Sequence, residues 1–421
     1  MTPHSSRSAG QTETGSAEAL LRRPREPRPV YRIRDDDEAV DIAHRLAERF
    51  RTGASERDRQ RRLPFEEIET YTESGLGAIT VPKAYGGTGA GYETLARVFE
   101  ILCAADPSLG QIPQNQFGVL ALVADIGTEA QKARVYADVL AGHRIGNAGP
   151  ERKTKLVTIS TTRLEATSRG LRLTGERFYS TGALFAHYIP TRAVDDEGRA
   201  VQVWARSGQP GVTIIDDWAA FGQRTTASGT VVFHQVAIEP ELVFPVHAFK
   251  DKPGLAGPVS QLIQAAIDAG IARAAFEDAL GFVRERARPW VDSGLSQATD
   301  DPTILHSVGA LATDLHAAQE ILYEAGRTID AIAAAPVTAE SSARASVAVA
   351  EAKILTTEIA LEASERLFDL AGSAATRAAH NLDRHWRNAR VHTLHDPVRW
   401  KIHLIGNYAL NGILPNRHQW N

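Results

Sequence analysis

Sulfur-bearing side chains are almost missing from this 421-residue chain: Cys103 is its single cysteine and Met1 its single methionine. One thiol excludes an intramolecular disulfide framework and fits a reducing, cytoplasmic setting. Cys103 lies within Ile101-Leu102-Cys103-Ala104-Ala105, an apolar helical run, so it reads as core filling and not as a nucleophile. No apolar run nears the ~18 residues that a membrane span needs, so a soluble protein without membrane association is expected. An excess of one charge is missing as well. Lys and Arg number 47 against 51 Asp and Glu, a net charge of -4, which gives no basic field for nucleic acid. The His-Glu-x-x-His motif and paired Glu-x-x-His motifs are absent, so no metal site is expected. The length suffices for two or three domains with substantial cores.

What is present changes character along the chain. Residues 1–34 are rich in Ser, Thr, Pro and Arg, with seven Arg against three Glu. Arg-Pro-Arg-Glu-Pro-Arg-Pro interrupts any amphipathic helix there, so this stretch reads as a disordered tail. From Asp35, apolar residues recur at helical spacing through Ala39, Val40, Ile42, Ala43, Leu46 and Ala47, and helices continue to about residue 141. The glycines of Tyr85-Gly86-Gly87-Thr88-Gly89-Ala90-Gly91 lack the G-x-G-x-x-G order and a βαβ setting, so the segment reads as a helix–helix connector. Between about 142 and 250 the period shortens. Val157–Thr162, Leu171–Thr174, Val201–Ala205 and Gly229–Phe233 read as strands of a small antiparallel barrel or sandwich. Residues 251–421 return to Ala-rich amphipathic segments at 258–289, 302–334, 339–371, 376–395 and 397–410, a bundle of at least four helices. The expected fold is mainly α with a β middle domain, in the order helices, strands, helices.

Three segments invite chemistry. Arg384-His385-Trp386-Arg387-Asn388-Ala389-Arg390-Val391-His392-Thr393-Leu394-His395-Asp396-Pro397 places His392 and His395 three residues apart, a spacing that shares a helix face. Spacing alone leaves open whether the two rings face a site or the core. Asp396-Pro397 reads as an N-cap followed by proline at the first helical position. Gly146-Asn147-Ala148-Gly149-Pro150 and Phe178-Tyr179-Ser180-Thr181-Gly182-Ala183 are turns of small, hydrogen-bonding residues that could fix the polar edge of a flat cofactor, or could be ordinary turns between strands. A helical domain, a β domain and a bundle meeting at a cleft is the usual setting for a bulky cofactor.

These residues carry a family resemblance. Pro82-Lys83-Ala84-Tyr85-Gly86-Gly87, Arg177-Phe178-Tyr179-Ser180-Thr181-Gly182 and Arg387-Asn388-Ala389-Arg390 resemble the acyl-CoA dehydrogenase superfamily over nearly all of residues 35–415. Within it the chain is similar to flavin-dependent monooxygenases of the dibenzothiophene monooxygenase type. Ile215–Thr226, Ala287-Arg288-Pro289-Trp290 and His392–Pro397 carry that likeness. The sulfur-acquisition oxidoreductases, the SfnB family, are resembled most closely, through Ala54–Pro64 and Gln111-Ile112-Pro113-Gln114-Asn115.

The resemblance implies a helical N-domain, a β middle domain and a C-terminal four-helix bundle that builds a homotetramer. It implies reduced FMN, supplied by a separate NAD(P)H-dependent reductase, reacting with O2 through a C4a-hydroperoxyflavin to oxygenate a small sulfide, sulfoxide or sulfone. Asn147, Ala148, Gly149, Ser180 and Thr181 match positions around the flavin ring, Trp218 an aromatic beside it, and Asn115 a position near it. Arg288 matches an arginine that reaches the FMN phosphate of a neighbouring subunit. His395 matches the principal proton donor or orienter, His392 its partner, and Thr181 a hydroxyl near flavin N5. The sequence departs from the pattern at Gln111, Asn115, Gln116 and Ser373-Ala374. An FAD-dependent acyl-CoA dehydrogenase or an inactive flavin-fold assembly is the alternative. The former needs a catalytic glutamate followed by glycine, and here stands Asp396 followed by proline.

Overall fold

The computed structural model describes residues 26–152, 154–156, 159–418 and 420–421. Of the expected disordered tail, residues 1–25 lie outside the described residues, whereas residues 26–34 run extended against the N-terminal helices. Val30 N–H donates to Leu140 O at 3.3 Å and Tyr31 N–H to Glu73 O at 3.1 Å. Val30 and Ile33 are buried. The prolines that forbid a helix here leave the extended form free to pair.

Seven helices follow: α1 (Asp36–Arg51), α2 (Ala54–Gln60), α3 (Phe65–Glu73), α4 (Tyr92–Ala105), α5 (Pro107–Gln111), α6 (Gln114–Ile126) and α7 (Glu129–Leu140). Asp35 caps α1 by accepting from Glu38 N–H, and Asp106 caps α5 by accepting from Leu109 N–H. The glycine-rich segment is a tight connector. A Cβ at Gly87 would lie 2.1 Å from Val81 O, so only glycine lets the loop fold back. Cys103 is buried against Gly110 and Gly270, and burial pushes its thiol well above the usual range.

The middle of the chain forms one seven-stranded sheet: β1 (Arg163–Thr167), β2 (Gly170–Arg177), β3 (Tyr188–Val194), β4 (Ala200–Arg206), β5 (Val212–Ile215), β6 (Thr230–Ile238) and β7 (Val243–Phe244). The order is β5-β6-β2-β1-β3-β4-β7. Pairing is antiparallel except where Arg163 of β1 meets Val194 of β3 in parallel, so the sheet is mixed and not purely antiparallel. Leu173, Ile189, Val203, Val231 and Phe233 fill its buried face. Of the strand expected at 157–162, Val157 and Thr158 lie outside the described residues, and residues 159–162 form no strand. Glu151 takes the backbone N–H and hydroxyl groups of both Thr161 and Thr162, which removes those donors from any ladder.

The C-terminal bundle comprises α8 (Ala256–Glu285), α9 (Pro302–Ala333), α10 (Ala339–Ala371), α11 (Asp383–His392) and α12 (Arg399–Asn411). α8 is apolar on nearly every side because α4, α6, α9, α10 and α11 surround it. The helix expected at 376–395 is confined to α11. A 3-10 turn at Ser373–Thr376 and Asn381 at φ +52 interrupt its start.

α11 is fastened to α8 by Asp278, which lies 2.7 Å from Arg384 and 2.8 Å from His385 Nε2. Burial, with the charge of Arg384, holds the His385 imidazole down at about 4 against the opposing pull of Asp278. The unfolded chain binds that proton near pH ~6.5 while the folded chain resists it. Stability is therefore full above pH ~6.5 and is lost as pH falls towards 4. The melting temperature should decline across that window, and His385→Gln should flatten part of the decline. Identical slopes for the two proteins in thermal melts at pH 7, 5.5 and 4.5 would remove His385 from the acid response.

Candidate active site

The histidine pair straddles the end of α11. His392 is the last helical residue, and His395 sits in the turn that follows, its N–H donating to His392 O at 2.9 Å. The rings stack with centroids 6.3 Å apart and planes 23° from parallel. Their surroundings differ. His392 is wholly buried between Asp268 Oδ1 on Nδ1, at 2.5 Å, and Gln264 Oε1 on Nε2, at 2.9 Å. Asp268 also accepts from Lys353 and Thr357 of α10. Burial pushes the Asp268 carboxyl up, but Lys353 and His392 more than offset this and hold it below the usual range. Burial lowers the affinity of His392 for a second proton, against the pull of Asp268.

His395 is about one-third exposed (32%), with Nδ1 3.2 Å from Asp396 Oδ1. Asp396 is not the helix cap that its sequence suggests. α12 begins at Arg399, with Val398 in the cap position and no capping side chain. Its first bonds run from Trp400 N–H to Pro397 O and from Lys401 N–H to Val398 O. Neighbouring side chains lie against the carboxylate instead: His395, and Lys401 at 3.7 Å. Burial pushes Asp396 up, yet His395 and the nearby lysines keep it ionised, well below its usual range.

The two turns of the β domain pack on each other. Ala148 N–H donates to Pro190 O at 2.8 Å, continuing the sheet beside β3. A Cβ at Gly149 would lie 3.0 Å from both Phe178 O and Tyr179 O and 3.3 Å from Asn147 Nδ2, which gathers Asn147, Ala148 and Gly149 against the 178–183 turn. Tyr179 holds φ +53, a left-handed backbone uncommon outside glycine. Trp218 closes this corner, its ring 5.8 Å from that of Tyr179 and 6.2 Å from that of Phe178. Its indole donates to Gln223 O at 2.9 Å. Thr181 is buried, with Oγ1 2.7 Å from Ser228 Oγ. Gly182 brings the turn against the α5–α6 link, since a Cβ there would lie 2.8 Å from Ile112 O.

Gln223 joins the β domain to the bundle. Its N–H donates to Asn388 Oδ1 at 2.7 Å, and its Oε1 accepts from Ser108 at 2.9 Å. Asn388 lies one helical turn before His392. Gln264 Nε2 donates to Gln114 Oε1 at 2.6 Å, which ties α8 to the start of α6 beside Asn115. Asn147, Ala148, Gly149, Ser180, Thr181, Trp218, His392 and His395 are thus linked by contacts between the β domain, α5–α6 and α11, and Asn115 follows Gln114 in the chain. Arg288 is not among them. It is exposed on the loop after α8.

Several polar atoms along these segments are buried and have no partner among the described residues: Ser180 Oγ, Gln111 Oε1, Asn115 Nδ2, Gln223 Nε2 and both amide atoms of Gln261. Native proteins rarely leave so many donors and acceptors unmatched, because each costs free energy. Donors and acceptors of this kind beside an indole fit the edge of a planar heteroaromatic ligand such as an isoalloxazine. Residue patterns missed Gln223, Ser228, Gln264, Asp268, Lys353 and Asn388. The available signal was Gln261, Gln264 and Asp268 at i, i+3 and i+7 inside an otherwise apolar helix, a polar stripe that a core helix does not carry without purpose.

Comparison with known proteins agrees with this architecture. Residues 35–143 match the acyl-CoA dehydrogenase N-terminal domain and residues 262–400 the acyl-CoA dehydrogenase C-terminal domain. The chain is 33% identical to dibenzothiophene monooxygenase of Rhodococcus qingshengii, over 90% of this chain and 95% of the relative. It is 30% identical to the probable FMNH2-dependent monooxygenase SfnC of Pseudomonas putida, over 90% of this chain and 96% of that one. The FMN-bound crystal structure of TdsC from Paenibacillus sp. A11-2 superposes with a TM-score of 0.86 at 31% identity, covering 91% of this chain and all of that one. With its helices, mixed sheet and bundle in the same order, the chain belongs to the acyl-CoA dehydrogenase family.

Proposed function

We propose that this protein is the oxygenase of a two-component system. It takes reduced FMN from a separate NAD(P)H-dependent reductase, uses O2 as co-substrate, and inserts one oxygen atom into a small organosulfur compound, a sulfide, sulfoxide or sulfone, in sulfur acquisition. The observation that carries this reading is the near full-length relationship to dibenzothiophene monooxygenase, beside a probable FMNH2-dependent monooxygenase. Bound reduced flavin would supply the activation of O2.

The residues present suit that chemistry. Asn147, Ala148, Gly149, Ser180, Thr181 and Asn115 would hold the ring, with Trp218 beside it. The orphaned atoms of Ser180 and Asn115 support this assignment. Arg288 would bind the phosphate, and its exposure suits a reach into a neighbouring subunit of a homotetramer. Asp396, ionised, takes the Nδ1 proton of His395 and so fixes the tautomer in which Nε2 carries a lone pair when the ring is neutral. That leaves Nε2 as the ring nitrogen at which His395 would hold or give a proton. His392, held between Asp268 and Gln264, positions His395 by stacking on it. Asp396, its carboxyl held well below the usual range, is a weak base and poorly suited to abstract a proton from an acyl thioester. Among the described residues no helix is long and apolar enough to cross a membrane, and the cytoplasm, where reduced flavin is made, is the proposed location.

His395→Ala should lower turnover by ~10²–10⁴-fold, the range for a lost acid–base group, with the oligomer unchanged by light scattering. Wild-type turnover would remove His395 from proton handling. Arg288→Ala should weaken FMN binding by ~10-fold or more, the scale of a lost charge-assisted hydrogen bond. An unchanged dissociation constant by ultrafiltration would refute the phosphate role. Product analysis after mixing enzyme, reduced FMN, O2 and a panel of organosulfur compounds tests the reading as a whole. Bleaching by an acyl-CoA without oxygen consumption would overturn it.

A further inference from the structure

We propose that this site selects the reduced over the oxidised state of its flavin, through a chain of three buried hydroxyls that leaves Thr181 able only to accept a hydrogen bond. The inference rests on the reading that FMN is the ligand and that Thr181 meets N5. The polarity of Thr181 itself follows from counting hydrogens.

Thr226 Oγ1 lies 3.0 Å from Gln223 O, Ser228 Oγ lies 2.8 Å from Thr226 Oγ1, and Thr181 Oγ1 lies 2.7 Å from Ser228 Oγ. Each oxygen–oxygen contact needs one hydrogen, or two lone pairs face each other at repulsive range. A hydroxyl carries one hydrogen and a carbonyl none. Three contacts and three hydrogens admit one arrangement: Thr226 donates to Gln223 O, Ser228 donates to Thr226, and Thr181 donates to Ser228. The Thr181 hydrogen is consumed within the protein, so its hydroxyl offers only lone pairs to a ligand. The adjoining backbone is also committed, since Thr181 N–H donates to Tyr179 O at 3.0 Å. All three hydroxyls are buried, which removes water as an alternative partner and gives the arrangement its weight.

The carbonyl that ends the chain is held in place. Gln223 O also accepts from the Trp218 indole, and Gln223 N–H donates to Asn388 on α11. Gln223 stands at φ +47, so its carbonyl direction is set by these contacts and not by ordinary backbone preference. Ser228 and Thr226 touch no ligand in this scheme. They are positioning residues that set which way Thr181 points its hydrogen.

Flavin N5 bears a hydrogen when the ring is reduced and a lone pair when it is oxidised. An acceptor-only hydroxyl satisfies the first and opposes the second. A buried mismatch of this kind typically shifts affinity by ~10-fold or more. An oxygenase that receives reduced flavin from a partner and must discard the oxidised product would gain direction from that difference.

The test is anaerobic ultrafiltration of the full-length protein with dithionite-reduced FMN and, separately, with oxidised FMN. Wild type should bind the reduced form at least ~10-fold more tightly. Ser228→Ala frees the Thr181 hydrogen to turn towards the ligand, and the ratio of the two dissociation constants should fall several-fold, chiefly through tighter binding of oxidised FMN. Thr226→Ser keeps the chain and should keep the ratio, whereas Thr226→Val should lower it. Melting temperature and circular dichroism verify that each variant is folded. Equal binding of both states by wild type, as would occur if flavin N3–H met Thr181, overturns the proposal. So does an unchanged ratio in folded Ser228→Ala. Binding of neither state overturns the flavin reading itself, and this inference falls with it.

Discussion

Asp268 is the point on which the bundle and the site both depend. It stands in the middle of α8, a helix buried on nearly every side, where a carboxylate without partners would cost several kcal/mol. Lys353 and Thr357 reach it from α10 and His392 from the end of α11, so one side chain joins three helices. Removing any one partner leaves the others charged or unmatched in a medium that cannot hydrate them. A hydrophobic pair of equal volume could hold the helices together as well. What an ion pair adds is direction, since it fixes the face that His392 shows to His395.

From that knot the rest of the site follows outward in one connected hydrogen-bonded and stacked network. His392 supports His395 from behind, and Asp396 lies against Nδ1 of His395. Four residues earlier on the same helix, Asn388 holds Gln223, and Gln223 ends the hydroxyl chain that reaches Thr181. The proposed proton handling at one edge and the proposed hydrogen-bond polarity at the other are therefore both indexed to α11. That short helix is itself clamped to α8 through Asp278. A displacement of α11 would disturb both functions together, which is how a site assembled from separate domains can act as one unit.

Much of this was legible in the residues. The Ala-rich periodicity after residue 258 foretold the long helices of the bundle, because helices that pack on all sides must be apolar and small along most of their length. Leu171–Thr174 and Val201–Ala205 fall inside β2 and β4. Errors arose where a side-chain partner outcompeted the expected backbone role. Thr161 and Thr162 look like strand residues but give their donors to Glu151. Asp396 has the local form of a cap but is taken by His395 and Lys401. Residues 26–34 have the composition of a tail, yet Val30 and Ile33 find apolar cover. The partners of Thr181 and His392 were invisible for a related reason: Ser228 and Asp268 lie 47 and 124 residues away from them, beyond any spacing rule. The family resemblance singled out the histidines and the threonine, but not the side chains that lie against them.

The central claim is transfer of one oxygen atom from O2 to an organosulfur compound on reduced FMN. It is tested most directly by single turnover of the reduced-FMN-loaded protein with 18O2 and an organosulfur substrate, with the product analysed by mass spectrometry. The account predicts one 18O atom per molecule of oxygenated sulfur product, the second atom leaving as water. Product oxygen drawn from solvent, or flavin reoxidation that yields only hydrogen peroxide with every sulfide, sulfoxide and sulfone tried, would contradict it.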